Sequence, residues 1–153
     1  MLSSSALTIT WLPPDIAAEA WEFTHHPAKQ PFYLRHALRW DDLLSASVAG
    51  TLVPWPRSSD LAGIAVEGAY HRYEDYEKYL ARAKRGYRLN YARLEATLQR
   101  AGALHLPAPI VLVCGGEALL FSGYRRLCLA WNYGMIPFVW QVRIPPRQGF
   151  TDM

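Results

Sequence analysis

Two adjacent arginines, Arg125 and Arg126, follow the dipeptide Ser122-Gly123 at the start of a predicted helix. The N-terminal end of a helix is the positive end of its dipole, so each cation there costs about 0.3–1 kcal/mol at an exposed site. An anion held between the first-turn amides and the two guanidiniums would reverse that sign, and phosphate has the matching geometry. The pattern therefore indicates a phosphate site, unless both side chains point outward and pair with surface acids.

The residues around the arginines have predicted roles of their own. Ser122 can cap the helix through its hydroxyl, and Gly123 permits a ligand to approach the backbone closely. The predicted binding residues are Ser122, Gly123, Tyr124, Arg125 and Arg126.

A reaction at this turn would need a carboxylate that the fold brings close to it. Glu117 is the first candidate, although it follows the predicted turn Gly115-Gly116 and a hairpin tip commonly projects into water. Glu67, in a Gly/Ala-rich loop, is the second candidate for a catalytic base. Asp41 and Asp42 stand at a predicted helix start, where helix capping by Asp41 accounts for them.

The histidines and cysteines do not add a reactive centre. The five histidines lack the spacing of metal ligands, and no Ser-His-Asp or Cys-His arrangement can be argued from the sequence. No metal site is predicted from protein ligands alone. Cys114 and Cys128 lie in apolar runs, which predicts buried free thiols rather than a disulfide.

A second concentration of charge lies between residues 81 and 100, with six basic residues and one acid, a net charge of +5 against +3 for the whole chain. Tyr87 and Tyr91 interleave with these charges, as on surfaces that stack bases and contact phosphates. The alternative is a solvated helical face beside the acids of residues 74–77. The predicted nucleic-acid-binding residues are Arg82, Lys84, Arg85, Arg88 and Arg93.

Composition limits the class of protein. The chain has 153 residues, 51% of them hydrophobic and 13% aromatic, which predicts a single folded domain with a buried core. A net charge of +3 is too small to indicate nucleic-acid binding by itself. The first residues lack a basic segment and a long apolar run, so we expect neither a signal peptide nor a membrane span, and a cytoplasmic location.

Strands and a helix must position the arginine pair. The sequence predicts a short strand over 118–121, a helix of about 11 residues that buries Leu127, Ala130 and Trp131 and stops at Gly134, and a strand over 138–144. We expect these elements to form a right-handed crossover between parallel strands. The apolar run 107–114 predicts a buried strand that precedes the hairpin.

The rest of the chain gives weaker patterns. Residues 50–63 carry proline, serine and glycine and are predicted to form a loop. Gly86 is predicted to interrupt a helix and Asn90 to cap the next one, which ends at Gly102. The other elements are strands over 6–11 and 32–39 and helices over 13–26, 40–44, 73–85 and 90–101.

This order of elements resembles the ParB/sulfiredoxin-like superfamily, whose pattern is a strand, Asp/Ser-Gly-x-x-Arg, an alanine-rich helix, a glycine and an Ile-Pro-Val strand. Here the motif is Gly123-Tyr124-Arg125-Arg126, and the later strand reads Gly134-Met-Ile-Pro-Phe-Val139. The resemblance covers residues 90–144, is weaker over 32–50 and is absent over 1–30. It implies an α/β (α+β) fold with a small mixed sheet, a domain over 32–146, an N-terminal extension over 1–31 and a tail over 147–153.

The resemblance also implies a function. Members of the superfamily bind nucleotides, so the expected ligands are ATP or CTP with Mg²⁺, and the expected chemistry is phosphoryl transfer or nucleotide hydrolysis linked to DNA processing or modification, as in phages and mobile elements. Tyr124 stands where sulfiredoxins carry a cysteine, so sulfinate reduction is not expected. No carboxylate adjoins the motif in sequence to hold Mg²⁺. The alternative is a non-catalytic module that binds DNA or a protein partner through the basic face of residues 82–93.

Overall fold

The computed structural model of the protein describes residues 7–56, 65–67 and 85–146, with the backbone alone at 65–67, 85, 87 and 88. The strands are β1 (Thr8–Leu12), β2 (Thr51–Pro54), β3 (Ala65–Glu67), β4 (Ala103–Pro107), β5 (Ile110–Cys114), β6 (Glu117–Ser122) and β7 (Phe138–Arg143). The helices are α1 (Ala20–His25), α2 (Gln30–Arg35), α3 (Trp40–Ser47), α4 (Arg85–Ala101) and α5 (Tyr124–Asn132), with 3₁₀ turns at Ile16–Glu19 and Pro27–Lys29.

A five-stranded mixed sheet forms the centre, in the order β2-β7-β5-β6-β3, and a second sheet pairs β1 with β4. Strand β5 is buried along its whole length, as its continuous apolar sequence predicts. It pairs antiparallel with β6 and parallel with β7. The described residues therefore have the predicted α+β class with a small mixed sheet.

The sheet is covered on both faces. Ile110, Leu112 and Cys114 pack with Phe32 and Leu43 of α2 and α3. The alternate residues of β5 face the other way, where they pack with the α5 residues Leu127 and Trp131 and with Trp55. The predicted burial of α5 and of both thiols is thus confirmed.

The predicted parallel crossover is wrong. Strand β5 lies between β6 and β7, antiparallel to the first and parallel to the second, so β6 and β7 run in opposite directions. Helix α5 therefore connects antiparallel strands that are not neighbours. Sequence periodicity identifies each of these strands but does not reveal that the earlier strand β5 lies between them.

The predicted turn and helix ends are confirmed by backbone geometry. Gly115 and Gly116 have φ of 58° and 79° in a two-residue hairpin loop, the pair of positive values that a type I′ turn requires. After α5, the Met135 N–H donates to the Ala130 carbonyl and the Gly134 N–H to the Trp131 carbonyl, at 2.9 and 3.1 Å. That pattern is the Schellman motif, and it ends the helix at the predicted glycine.

The N-terminal residues pack onto the domain. Strand β1, predicted over 6–11, pairs in parallel with β4, and Leu7 is buried with Leu98, Leu106 and Cys128. Among the described helices, none is long and apolar enough to cross a membrane.

Several predicted elements differ from the structure. Residues 32–39 do not form the predicted strand. Helix α2 covers the first part of this segment, and His36 follows at the C-cap of the helix, one turn after Phe32, with the two ring centroids 4.7 Å apart. Helix α4 runs through Gly86 and Asn90 without a break. The N-cap of α3 is Arg39, not Asp41.

The predicted loops contain short strands. Strand β2 begins at Thr51, inside the segment predicted as a loop, and pairs with β7. Strand β3 pairs in parallel with β6. Two predicted segments lie outside the described residues. They are residues 73–84 of the predicted helix and residues 57–63 of the predicted loop.

Candidate functional site

A cleft of about 260 Å³ lies over the turn that joins β6 to α5. It is formed where the N-terminal extension, α4 and β4 meet this turn. Its lining residues are Glu19, Glu22, Asn90, Leu94, Leu106, Pro107, Ser122, Gly123, Arg125 and Arg126. Four of the five predicted binding residues therefore lie together at one cleft, and the fifth, Tyr124, packs between the cores on either side of α5.

Ser122 does not cap the helix as predicted. It is the last residue of β6, and Gly123, with φ of 101°, takes the N-cap position and has no side chain to offer. Ser122 is only 6% exposed, and its hydroxyl has no hydrogen-bond partner in the described part of the chain. A buried hydroxyl without a partner is costly, so one of the residues that line the cleft carries an unsatisfied polar group.

Gly123 has a structural reason to be glycine. A Cβ at this position would lie 2.6 Å from Cβ and 2.7 Å from Cα of Pro109. Pro109 therefore fills the space that the missing side chain leaves. The sequence predicts close approach of a ligand to this glycine, but its contact with Pro109 is sufficient to explain it.

Arg126 is partly committed to the protein. Its guanidinium donates to the Pro107 carbonyl, and its Nη2 lies 3.9 Å from Oε1 of Glu19. Burial lowers the pKa of Arg126, but an arginine remains charged in proteins. The side chain thus ties β4 and the N-terminal extension to the turn and places a fixed positive charge at the cleft.

Arg125 is half-buried and lines the same cleft. Its charge acts on Arg126 strongly enough to contribute to the lowered pKa of that neighbour. Neither arginine is therefore on a remote surface, and the two like charges repel each other at the cleft.

Two carboxylates at the cleft, Glu19 and Glu22, were not predicted. They come from the N-terminal extension, where Asp15 caps the 3₁₀ turn by accepting from the Ala17 N–H at 3.1 Å. Their spacing of three residues on a predicted helix was the available signal, because it places both on one face. The part of the chain that supplies them lies outside the family resemblance, so the motif does not predict them.

Lys29 is the buried cation that contacts this acidic pair. Its side chain is almost fully buried, and Nζ donates to the Phe121 carbonyl and, at 3.3 Å, to Oε2 of Glu22. Burial lowers the pKa of Lys29, and the negative charges of Glu22 and Glu19 oppose that shift. The Lys29 ammonium thus lies between the Glu22 carboxylate and the backbone of Phe121, the residue before Ser122.

Of the two predicted catalytic acids, Glu117 is not brought to the cleft. Glu117 begins β6 and Ser122 ends it, about 16 Å apart at ~3.3 Å per residue. The Glu117 carboxylate accepts from Arg35 at 3.0 and 3.3 Å and is 2.7 Å from Nε2 of His36. Glu67 lies in β3 opposite Leu119, and its side chain is not described. Glu117 is therefore too far away to act on a ligand at the turn.

The ion pairs of Glu117 predict a pH-dependent contribution to stability. The hydrogen bond from Arg35 is the largest cause of a pKa of Glu117 below its usual value, and His36 adds to it. This stabilisation is present above the unfolded pKa of about 4.3 and is lost as the pH falls through the lower folded pKa. Because the partners are partly exposed, we expect Glu117→Gln to reduce the free energy of unfolding by up to about 1 kcal/mol at pH 7.

Urea denaturation of the wild type and Glu117→Gln between pH 7 and pH 2.5 measures this difference. We expect it to shrink toward zero at the acid end, where the wild-type carboxyl is protonated as well. A difference that stays constant across the range would contradict the assignment to ionised Glu117.

The basic segment is only partly described. Arg82 and Lys84 lie outside the described residues, and Arg85 and Arg88 are described only by their place in α4. Arg93 is exposed on α4, as predicted. Tyr91, in contrast, is fully buried and its hydroxyl accepts from the Asn132 amide at 2.9 Å, so it cannot stack on a base. The DNA-binding alternative remains a prediction.

The described residues hold no group of three or more His, Cys, Asp or Glu side chains that could bind a metal ion unaided. No protein-family model matches the chain, and neither the curated proteins nor the solved structures contain a match to it.

Proposed function

We propose that the cleft at the β6–α5 turn binds the phosphate group of a nucleotide. The observation that carries the proposal is the Ser122 hydroxyl, which is buried at the cleft without a partner in the described residues, directly before the N-terminus of α5. The dipole of a helix favours an anion at the N-terminal end. Arg125 and Arg126 add two positive charges at the same place.

The chain's own groups divide the work of holding a phosphate. Arg126, fixed by Pro107, supplies charge without having to reorganise. Arg125 lines the cleft and can contact the phosphate oxygens through two parallel N–H groups. The Ser122 hydroxyl donates to a remaining oxygen. A volume of about 260 Å³ is slightly below that of common ligand pockets, so the rest of the nucleotide would extend beyond the cleft.

Phosphoryl transfer or nucleotide hydrolysis would require an acid or base near that phosphate. Glu19 and Glu22 are the described candidates for this role, because they line the cleft, whereas Glu117 lies too far from it. Mg²⁺ is commonly held by one or two carboxylates together with substrate phosphates, and these two residues fit that requirement. A bound Mg²⁺ would neutralise phosphate charge. ATP and CTP, which the family resemblance implies, are the nucleotides to test first.

Arg125→Ala should weaken phosphate binding about 10- to 100-fold, because a hydrogen bond between charged groups contributes about 1.5–3 kcal/mol. Thermal unfolding with ATP, CTP, AMP and inorganic phosphate, with Mg²⁺ or with EDTA, measures the loss. A ligand at one hundred times its Kd should stabilise the wild type by about 2.7 kcal/mol. Arg143→Ala is the matched control, since it removes an exposed arginine at the far end of β7.

Ser122→Ala gives the same experiment a second readout. Because the hydroxyl is buried without a partner in the described residues, its removal should leave the free protein equally or more stable while it weakens ligand binding. Absence of a shift with every phosphorylated compound would refute the proposal. A shift that persists unchanged in Arg125→Ala would place the ligand elsewhere.

A further inference from the structure

Among the lining residues that the structure describes, the predicted cations stand with an equal number of carboxylates. Arg125 and Arg126 line the cleft together with Glu19 and Glu22, so the formal charges of these four residues cancel. The buried Lys29 ammonium, which contacts Glu22, leaves one positive charge in excess. A chain of phosphates with three or four negative charges would therefore face two carboxylates as well as the cations, and a like charge at a recognition site acts against the ligand that carries it.

The carboxylates also have unused capacity to accept hydrogen bonds. Glu22 receives one, from Lys29 to Oε2, and the Glu19 carboxylate is 3.9 Å from Arg126, beyond hydrogen-bond distance. Three oxygens of this pair thus accept no hydrogen bond from the residues that the structure describes. Both side chains are partly exposed, at 28% and 27%, so a ligand in the cleft can reach them.

Ionised carboxylates only accept hydrogen bonds, so a ligand that satisfies them must donate. Sugar hydroxyls are neutral donors, and their hydrogen bonds to a carboxylate are about twice as strong as those between neutral groups. The buried Ser122 hydroxyl and the two arginines are donors, so they require an acceptor and favour a phosphate oxygen. The cleft therefore matches a ligand that carries one phosphate and, a short distance from it, free hydroxyls.

From this we infer that the cleft selects a phosphate monoester of a hydroxyl-bearing sugar, and that Glu19 and Glu22 reject polyphosphates when no metal ion is bound between them and the phosphates. The inference rests on the phosphate site proposed above. It narrows that site to a class of ligand that includes nucleoside monophosphates and free sugar phosphates. These two sources share the same chemistry, and comparison of AMP with ribose 5-phosphate separates them.

Isothermal titration of the full chain in EDTA, so that no metal bridges the carboxylates to a phosphate, tests the inference. We expect AMP or ribose 5-phosphate to bind more tightly than ATP or CTP. The matched ligand 2′,3′-dideoxy-AMP, which lacks the hydroxyls, should bind about tenfold more weakly than AMP. Equal affinity for AMP and its dideoxy analogue would overturn the proposed role of the carboxylates.

Two variants give the residue-level test. Glu19→Gln and Glu22→Gln keep the shape of the side chains but remove the charge, so each should lower the AMP-to-ATP preference by about tenfold. Asp41→Asn, which removes an exposed carboxylate on α3, should leave that preference unchanged. Tighter wild-type binding of ATP than of AMP, or an unchanged preference in both glutamine variants, would overturn the inference. Loss of all binding by every phosphorylated compound would instead refute the phosphate site itself.

Discussion

Gly123→Ala should lower the free energy of unfolding by about 3 kcal/mol or more, the largest effect on stability that we expect from a single substitution. At φ of 101° the backbone is in the left-handed region, which costs an L-residue about 1–2 kcal/mol. The new Cβ would also lie 2.6 Å from Pro109, and overpacking of this kind costs about 1–3 kcal/mol. Urea denaturation followed by circular dichroism measures the change.

Gly116→Ala is the matched control for that experiment. Gly116 has φ of 79°, yet a Cβ there would meet nothing within 4 Å. This variant should therefore show only the cost of backbone strain, about 1–2 kcal/mol. If the two variants lose equal stability, Pro109 does not restrict position 123 in the way that the structure indicates.

Glu22→Ala should have the second largest effect, a loss of about 3 kcal/mol, because it leaves the Lys29 ammonium buried without its closest carboxylate. Lys29 is only 5% exposed, whereas Glu22 can be hydrated in the cleft. The reverse change, Lys29→Met, should therefore cost less, about 1–3 kcal/mol for the acceptor left at Phe121. A double-mutant cycle over the two residues measures their coupling.

The pH dependence of the stability lost in Glu22→Ala tests whether the loss comes from the charge interaction with Lys29. Burial already lowers the pKa of Lys29, and loss of Glu22 should lower it further. The folded state then binds fewer protons than the unfolded state, so the destabilisation should shrink as the pH rises toward the ordinary lysine pKa of about 10.4. A loss of stability that does not vary between pH 7 and pH 10 would show that the carboxylate contributes by packing and not by charge.

Local chemistry determined much of the fold. The two glycines of the hairpin, the glycine after α5 and the continuous apolar run of β5 were interpreted correctly, because each reflects a constraint within a few residues. Residues 32–39 were misassigned for the complementary reason. Their mixture of apolar and basic residues suits a strand or a helix, and only the packing of Phe32 and Tyr33 against the sheet decides between them.

The candidate site divides in the same way. The amino-acid sequence by itself placed Ser122, Gly123, Arg125 and Arg126 at one strand–helix turn, since neighbours in sequence remain neighbours in any fold. Only the tertiary structure decided which acids reach that turn. Glu117, close in sequence, is carried away along the length of an extended strand, whereas Glu19 and Glu22, about one hundred residues earlier, are brought to the cleft. Strand direction and helix docking depend on long-range packing, and no spacing rule within the chain encodes them.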